Sequence, residues 1–339
     1  MHEHNEAEKV TDMEMYDVTI IGGGTTGLYA AFYSGMRGLK TKVIEDQPET
    51  GGKVSFFYPE KQIYDVGGFP GISGEELAAN VEKQAQSTSP ALVTGVKVQS
   101  LQKQEDGAFL LVTNDGGSHY TRTVLIASGL GTFQMQPLQV DGAAAYEGRQ
   151  IHYTVKNKEK YKGLKTAVVS NNRVGIDWSL ALEGTADEVT LINRNNAFRA
   201  VYEKDEENLQ ASSVHVQYNR TIQRVKEEGG RMTGVILSDG TEIPLDHLLV
   251  YEGLQMEKSV YEEWGVHTDK GRIPVETDMC TNIPGVFAAG DAVVYPSKTM
   301  LIASGFNEAM AAINSAATYL DPEAKSQVYS TVIYKYTDH

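Results

Sequence analysis

Three glycines and an acid define the chemistry open to this chain. The apolar run Tyr16-Asp17-Val18-Thr19-Ile20-Ile21 has the length of a strand and ends in Gly22-x-Gly24-x-x-Gly27. An Ala-containing amphipathic run follows. The next apolar run, Lys42-Val43-Ile44, closes on Glu45, eighteen positions past Gly27. Strand, glycine turn, helix, strand and acid in that order make a dinucleotide site. Gly22 permits the tight turn, Gly24 lets backbone approach a diphosphate, and Gly27 lets helix and strand pack closely. The first-turn N–H groups and the helix dipole face phosphate oxygens, while Glu45 accepts from a ribose hydroxyl. A glycine-rich turn with no ligand is the plainer reading of the triplet alone, and the surrounding context argues against it.

A second constellation lies near the other end of the chain. Phe287-Ala288-Ala289-Gly290-Asp291 reads as a buried strand ending in Gly-Asp, from which Asp291 reaches a sugar-alcohol hydroxyl at close backbone range. The helix that follows, starting near Leu301-Ile302-Ala303-Ser304-Gly305, points its positive end at a ring carbonyl that gains electron density on reduction. A polyol, a ring and a diphosphate together describe FAD better than NAD. Tyr58, in a loop rich in Gly, Pro and aromatics, offers a flat face to an isoalloxazine; a packed core tyrosine is the other reading.

Composition narrows the rest. A chain of 339 residues makes two domains with a substantial core. Its net charge of −15 and pI near 5.0 argue against a general nucleic-acid binder. The expectation is a cytoplasmic protein with no membrane-spanning run. Residues 1–15 are polar and read as a flexible tail. Cys280 is the single cysteine, which removes an intramolecular disulfide, a Cys-x-x-Cys pair and a cysteine-ligated zinc. The eight histidines show no ligand spacing, so no metal is expected.

These motifs need elements to position them. Gly74–Gln86 reads as a helix, with Leu77 and Val81 on one face. Strands are expected over Ala91–Leu101, Gly107–Val112 and Ser118–Ile126, the last running into the small residues Ala127-Ser128-Gly129. The chain then begins again: Lys165–Val169 as a strand, Gly175–Glu183 as a helix, Glu188–Ile192 as a strand. An offset of 148 lays this unit on the first without a gap, Gly175 on Gly27 and Asn193 on Glu45. A β-rich segment, Ser213–Glu252, comes next, and a last helix runs from about Ile302 to Tyr319. The fold class expected is α/β and three-layer, with two Rossmann-like dinucleotide-binding domains. Residues 16–130 and 281–339 form an FAD domain, and 131–280 form an inserted NAD(P)-type domain.

With Tyr58-Pro59-Glu60-Lys61, Tyr64-Asp65-Val66-x-Gly68-Phe69-Pro70, Phe287–Asp291 and Leu301-Ile302-Ala303-Ser304-Gly305-Phe306 in place, the chain resembles the thioredoxin-reductase-like ferredoxin (flavodoxin)–NADP reductases of bacteria. It lacks the Cys-x-x-Cys of the thioredoxin reductases themselves. The resemblance implies FAD contacts at Glu45, Lys53 (where the family carries Gln), Tyr58, Val98, Phe133, Asp291 and Thr331. It also implies a ring over the flavin's second face from the tail Val328-Tyr329-Ser330-Thr331, with Tyr329 moving aside before a nicotinamide can stack. On that reading no side-chain acid or base is catalytic, because flavin N5 takes the hydride and the protein orients it. A homodimer is implied, with ferredoxin or flavodoxin as the electron partner.

The second unit departs from the family pattern. Where a glycine turn should cradle NADPH, the chain reads Ser170-Asn171-Asn172-Arg173-Val174-Gly175, with Arg194 and Arg199 after the next strand. Asn172 can keep a left-handed turn, but its side chain fills space a diphosphate needs. Two readings stand. NADPH binds weakly through Arg173, Gly175, Arg194 and Arg199, or the pocket is vestigial and the flavin takes electrons from another donor. A different class, a non-catalytic flavin-binding protein, is the third. An acidic partner would need a basic patch. Lys156, Lys158, Lys160, Lys162 and Lys165 are dense enough to form one, or they make an ordinary solvated loop.

Overall fold

The computed structural model describes residues 14–325 except 58, 130, 132, 156 and 257–259, with backbone only at 133, 134 and 254–256. Tyr58, Tyr329, Ser330 and Thr331 therefore lie outside the described residues, as do the side chain of Phe133 and positions 1–13 of the expected tail. Of that tail, Met15 already belongs to a strand, and Glu14 pairs with Lys40 at 2.8 Å.

The first unit starts with β1 (Met15–Ile21), α1 (Thr25–Met36) and β2 (Thr41–Glu45). β1 and β2 pair in parallel with Ile20 opposite Val43. Both are buried along most of their length, as strands covered on two faces are. After the short α2 (Gly52–Phe57), α3 (Gly74–Gln86) opens on a capping box. Ser73 Oγ accepts from Glu76 N–H at 3.2 Å, and the Glu76 carboxylate accepts from Ser73 N–H at 3.3 Å. Leu77, Val81 and Ala85 bury its apolar face.

The single strand expected over Ala91–Leu101 is two. β3 (Ala91–Thr94) lies parallel beside β2, while β4 (Val98–Lys103) turns back antiparallel to β5 (Phe109–Thr113). Gly95, at φ +74°, makes the break. With β6 (Ser118–Ile126) the order across the sheet is β3-β2-β1-β6-β5-β4.

The second unit holds β7 (Ile151–His152), β8 (Lys165–Ser170), α4 (Arg173–Leu182), β9 (Glu188–Asn193), α5 (Glu203–Gln210), β10 (His215–Tyr218) and β11 (His247–Tyr251). Its sheet is parallel in the order β7-β11-β8-β9-β10. The repeat holds in space: α4 and α1 begin 148 positions apart, and Asn193 ends β9 as Glu45 ends β2. The β-rich segment between β10 and β11 is an antiparallel ribbon of Ile222–Glu228, Arg231–Leu237 and Glu242–Pro244.

The chain then returns to the first unit. Tyr261, Trp264, Val266, Ile273, Val275 and Met279 lie in the core shared with β1 and β6, ahead of the motif at 281. β12 (Val286–Ala288) pairs with the end of β6, Phe287 opposite Leu125. α6 (Ile302–Leu320) packs along α1, with the rings of Tyr29 and Phe306 at 4.6 Å and Tyr33 Oη donating to Asn314 at 3.2 Å.

One segment of the first unit docks on the second. Phe57 is buried with Trp178 and Tyr251. The Trp178 indole N–H donates to the Phe57 carbonyl at 3.4 Å, and Lys61 pairs with Asp177 at 2.8 Å. Among the described residues no helix is long and apolar enough to cross a membrane.

Candidate functional site

Two helix N-termini converge on one cleft. α1 opens at Gly24 and α6 at Leu301, and neither has a side-chain cap, in contrast to α3. The first-turn N–H groups at the starts of α1 and α6 therefore have no side-chain acceptor from the N-cap and are available to a ligand. The cleft between them measures about 620 Å³, a size suited to a cofactor.

The turn at its base depends on missing side chains. A Cβ on Gly27 would lie 1.9 Å from the Gly22 carbonyl oxygen, and Gly22 itself sits at φ +110° with Ala127 O 2.6 Å from its would-be Cβ. The helix can approach the strand this closely only with glycine at both places.

Glu45, at the end of β2, is 7% exposed and lines the cleft. Its carboxylate accepts from Gly23 N–H at 2.5 Å and from Gln47 N–H at 2.8 Å. Burial pushes its carboxyl up from the ordinary range, against the pull of these two N–H groups. A carboxylate lining the cleft is an acceptor for a ribose hydroxyl.

Across the cleft, Asp291 sits in the short turn Gly290–Ala292 that follows β12. Lys53, in the first turn of α2, reaches it at 2.5 Å. This ion pair joins residues 238 apart in sequence. Val98 opens β4, is buried and lines the same cleft, and Ile302 opens α6 at its rim.

The cleft thus gathers Gly22, Gly24, Glu45, Lys53, Val98, Asp291 and Ile302. Ser128, Tyr261 and Trp264 line it too. Tyr261 and Ser128 share a hydroxyl–hydroxyl hydrogen bond, and the Trp264 indole N–H donates to the Gln99 carbonyl at 2.9 Å. The small residues after β6 hinted at Ser128. Nothing in the local pattern marks the other two, because their place depends on the chain crossing back early.

The second unit presents a different picture at the corresponding turn. Arg173, Gly175, Arg194 and Arg199 lie outside the cleft. Gly175 repeats the role of Gly27, since its Cβ would fall 2.2 Å from Ser170 Cβ. Asn172, however, is extended, at φ −144°, so the left-handed turn expected of it does not form. Its side chain accepts from Val174 N–H at 3.0 Å and caps α4 itself.

Arg173 is held by Asp205 at 3.2 Å and Asp177 at 3.9 Å, and it lies over the Tyr202 ring. Arg194 reaches Glu252 at 3.7 Å and, with the Asn171 amide turned to face it, two further contacts at 3.2 Å. Arg199 is exposed, and among the described residues no acid lies within ion-pair range of its guanidinium. Among the described residues, no cluster of His, Cys, Asp or Glu is placed to hold a metal.

Comparison with known proteins agrees with this geometry. A family described as pyridine nucleotide-disulphide oxidoreductase matches residues 16–316. The chain belongs to the pyridine nucleotide-disulphide oxidoreductase family. It is 43% identical over 318 residues to ferredoxin–NADP reductase 2 of Shouchella clausii, covering 92% of this chain and 96% of that one. To the ferredoxin–NADP reductase of Enterococcus faecalis it is 41% identical over 330 residues, covering 96% and 98%.

Among solved structures, the thioredoxin reductase of T. acidophilum aligns with a TM-score of 0.68 at 25% identity, over 91% of this chain and 99% of that one. The Lactococcus lactis thioredoxin reductase shares the fold at the same TM-score and 21% identity, over 90% and 99%. This member of the family is a ferredoxin–NADP reductase-like flavin oxidoreductase with two Rossmann-like units.

Proposed function

We propose that this chain binds FAD in the cleft between α1 and α6 and passes electrons between NADPH and ferredoxin or flavodoxin. The observation that carries the reading is the meeting of two helix N-termini without side-chain caps with Glu45 and Asp291 in one cleft. The residues fit that cofactor: glycine at 22 and 27 lets α1 begin tight against β1, so that its uncapped start lines the cleft. Bound FAD would supply hydride acceptance and release of electrons one at a time. The protein's own task is to hold and shield it. Glu45 takes the ribose, the start of α1 the diphosphate, and Asp291 a ribityl hydroxyl, while the start of α6 faces the ring.

Tyr58 and the tail residues Tyr329, Ser330 and Thr331 belong to this proposal as ring-covering groups, and Phe133 as a further contact. Homodimer formation, which the family resemblance implies, and a cytoplasmic setting, which the acidic, single-cysteine composition supports, are part of the same reading. The lysine-rich stretch gives an acidic partner little purchase. Lys158, Lys162 and Lys165 pair with Glu60, Glu159 and Glu188 at 3.9, 3.9 and 3.2 Å.

One observation favours a second reading, in which nucleotide binding is weakened and electrons arrive from another donor. Asn172 occupies the N–H position at α4 that a nucleotide diphosphate would use, and Arg173 is engaged by two carboxylates. Anaerobic photometry separates the readings. Rapid bleaching of the yellow protein by NADPH, followed by reoxidation with ferredoxin, supports the first. Inertness to NADPH and NADH, with reoxidation by ferredoxin after chemical reduction, supports the second.

A further inference from the structure

Behind the Gly290–Asp291 turn lies a charged cluster whose own side chains do not line the cleft. Glu308, two turns into α6, is 1% exposed. Its carboxylate accepts from the backbone N–H of Gly290 at 2.7 Å and from the Tyr295 hydroxyl at 2.6 Å. It also accepts from Lys298, whose side chain is 6% exposed. Tyr295 and Lys298 come from a single turn closed by Lys298 N–H donating to the Tyr295 carbonyl at 3.2 Å. Burial and the neighbouring Glu308 push the Tyr295 hydroxyl up to about 12, so it stays a donor.

The same region grips the start of α1. A Cβ on Gly305 would lie 2.3 Å from Thr26 Oγ1, and one on Gly290 would lie 3.0 Å from it. Thr26, the second residue of α1, therefore nests between the Asp291 turn and α6. The diphosphate turn, the Asp291 turn and the start of α6 are packed as one block, and the Glu308 carboxylate is the polar tie inside it. A buried ion pair is a poor source of net stability; what this one supplies is a fixed acceptor for an otherwise orphaned N–H.

We infer that Glu308 is a positioning residue of the flavin site. It acts through Gly290 to set where Asp291 stands in the cleft, with Lys298 neutralising its charge and Tyr295 fixing its orientation. The inference rests on the FAD reading above. Without the acceptor, the Gly290 N–H must find another partner, the turn rotates, and Asp291 leaves both Lys53 and the ribityl chain.

The test compares two charge-neutral pair variants of the full-length chain. Lys298→Met with Glu308→Gln removes the charges but keeps an oxygen for Gly290. Lys298→Met with Glu308→Leu removes the oxygen as well. FAD affinity and the gain in melting temperature on FAD binding are read for each. The Gln pair is expected to bind FAD within about threefold of the parent, and the Leu pair about tenfold or more weaker, with a smaller melting gain. A merely structural role would lower melting with and without FAD alike and leave affinity unchanged. If the Leu pair does not fold, Lys298→Met with Glu308→Asn, an amide one carbon short of Gly290, takes its place under the same expectation. Equal FAD affinity in the compared pairs overturns the inference alone. A parent protein that takes up no FAD overturns the flavin reading and this inference with it.

Discussion

Asn172 Oδ1 accepts the backbone N–H of Val174 at 3.0 Å, closing at α4 the position that Gly24 leaves open at α1. The two units share a fold and an offset, yet only the first keeps its helix start free. Replacing Asn172 by Gly removes the cap at a stability cost of a few tenths of a kcal/mol. It also exposes N–H groups able to make a charge-assisted bond to phosphate. NADPH affinity is expected to rise about tenfold. Titration calorimetry of parent and variant reads this directly, and an unchanged or weaker affinity contradicts the self-capping account.

Arg199 is an exposed guanidinium beside the α4 turn with no acid in ion-pair range among the described residues, whereas Arg173 and Arg194 are engaged. A 2′-phosphate arriving at this turn would therefore meet Arg199 at the least cost. Arg199→Ala should weaken NADPH by about tenfold and leave NADH nearly unchanged. The ratio of the two dissociation constants is the measurement. Equal losses for both nucleotides would show that Arg199 reads something other than the 2′-phosphate.

Much of this architecture was legible in the chain, and what was not shares a cause. β1, α1 and β2 announce themselves because local apolar pattern, glycine spacing and a terminal acid agree. The repeat announces α4 in the same way. The Lys53–Asp291 pair, the Ser128–Tyr261 bond and the Thr26 nest join segments far apart in sequence, and no local period encodes such meetings. Asn172 departs from the expected turn for a related reason. Its capacity for a left-handed turn is real, but the chance to cap its own helix won, as Asn at an N-cap commonly does. Alternation continues on both sides of Gly95, so the pattern alone predicts one strand over Ala91–Leu101.

Glu45 gives the FAD-free protein a definite pH signature. Burial raises its carboxyl above the value it has in the unfolded chain, so the folded state binds the proton more readily. Stability from this group is therefore present below the unfolded value near 4.5 and lost as pH rises through the folded one. On acidification from neutrality into that window, parent protein should gain stability relative to Glu45→Gln, which has no proton to bind. Urea midpoints of both FAD-free proteins across the range test the sign. A parent midpoint that falls relative to the variant's on acidification opposes it.

His152 and His247 stack at 5.2 Å with their ring nitrogens 3.1 Å apart, beside Tyr161. Burial lowers both from their usual value of 6.5, His247 adding to the effect on His152. One ring must donate to the other, so the accepting ring is neutral. The stability it contributes is present above 6.5 and lost as pH falls through the lowered folded values. Trp178 reports on this unit once Trp264 is replaced by Phe. Its unfolding midpoint should fall through that window, and His152→Gln with His247→Gln should flatten the fall. A midpoint with the same slope in both proteins would place the acid sensitivity elsewhere.

The central claim is that FAD sits in the cleft where α1 and α6 begin. It is tested most directly by denaturing the purified protein and identifying the released cofactor by chromatography, with parallel work on Gly27→Ala. The account predicts one FAD per chain from the parent and little or none from the variant, whose new Cβ would fall 1.9 Å from the Gly22 oxygen. A parent protein that is colourless, and stays so after incubation with excess FAD, would contradict it.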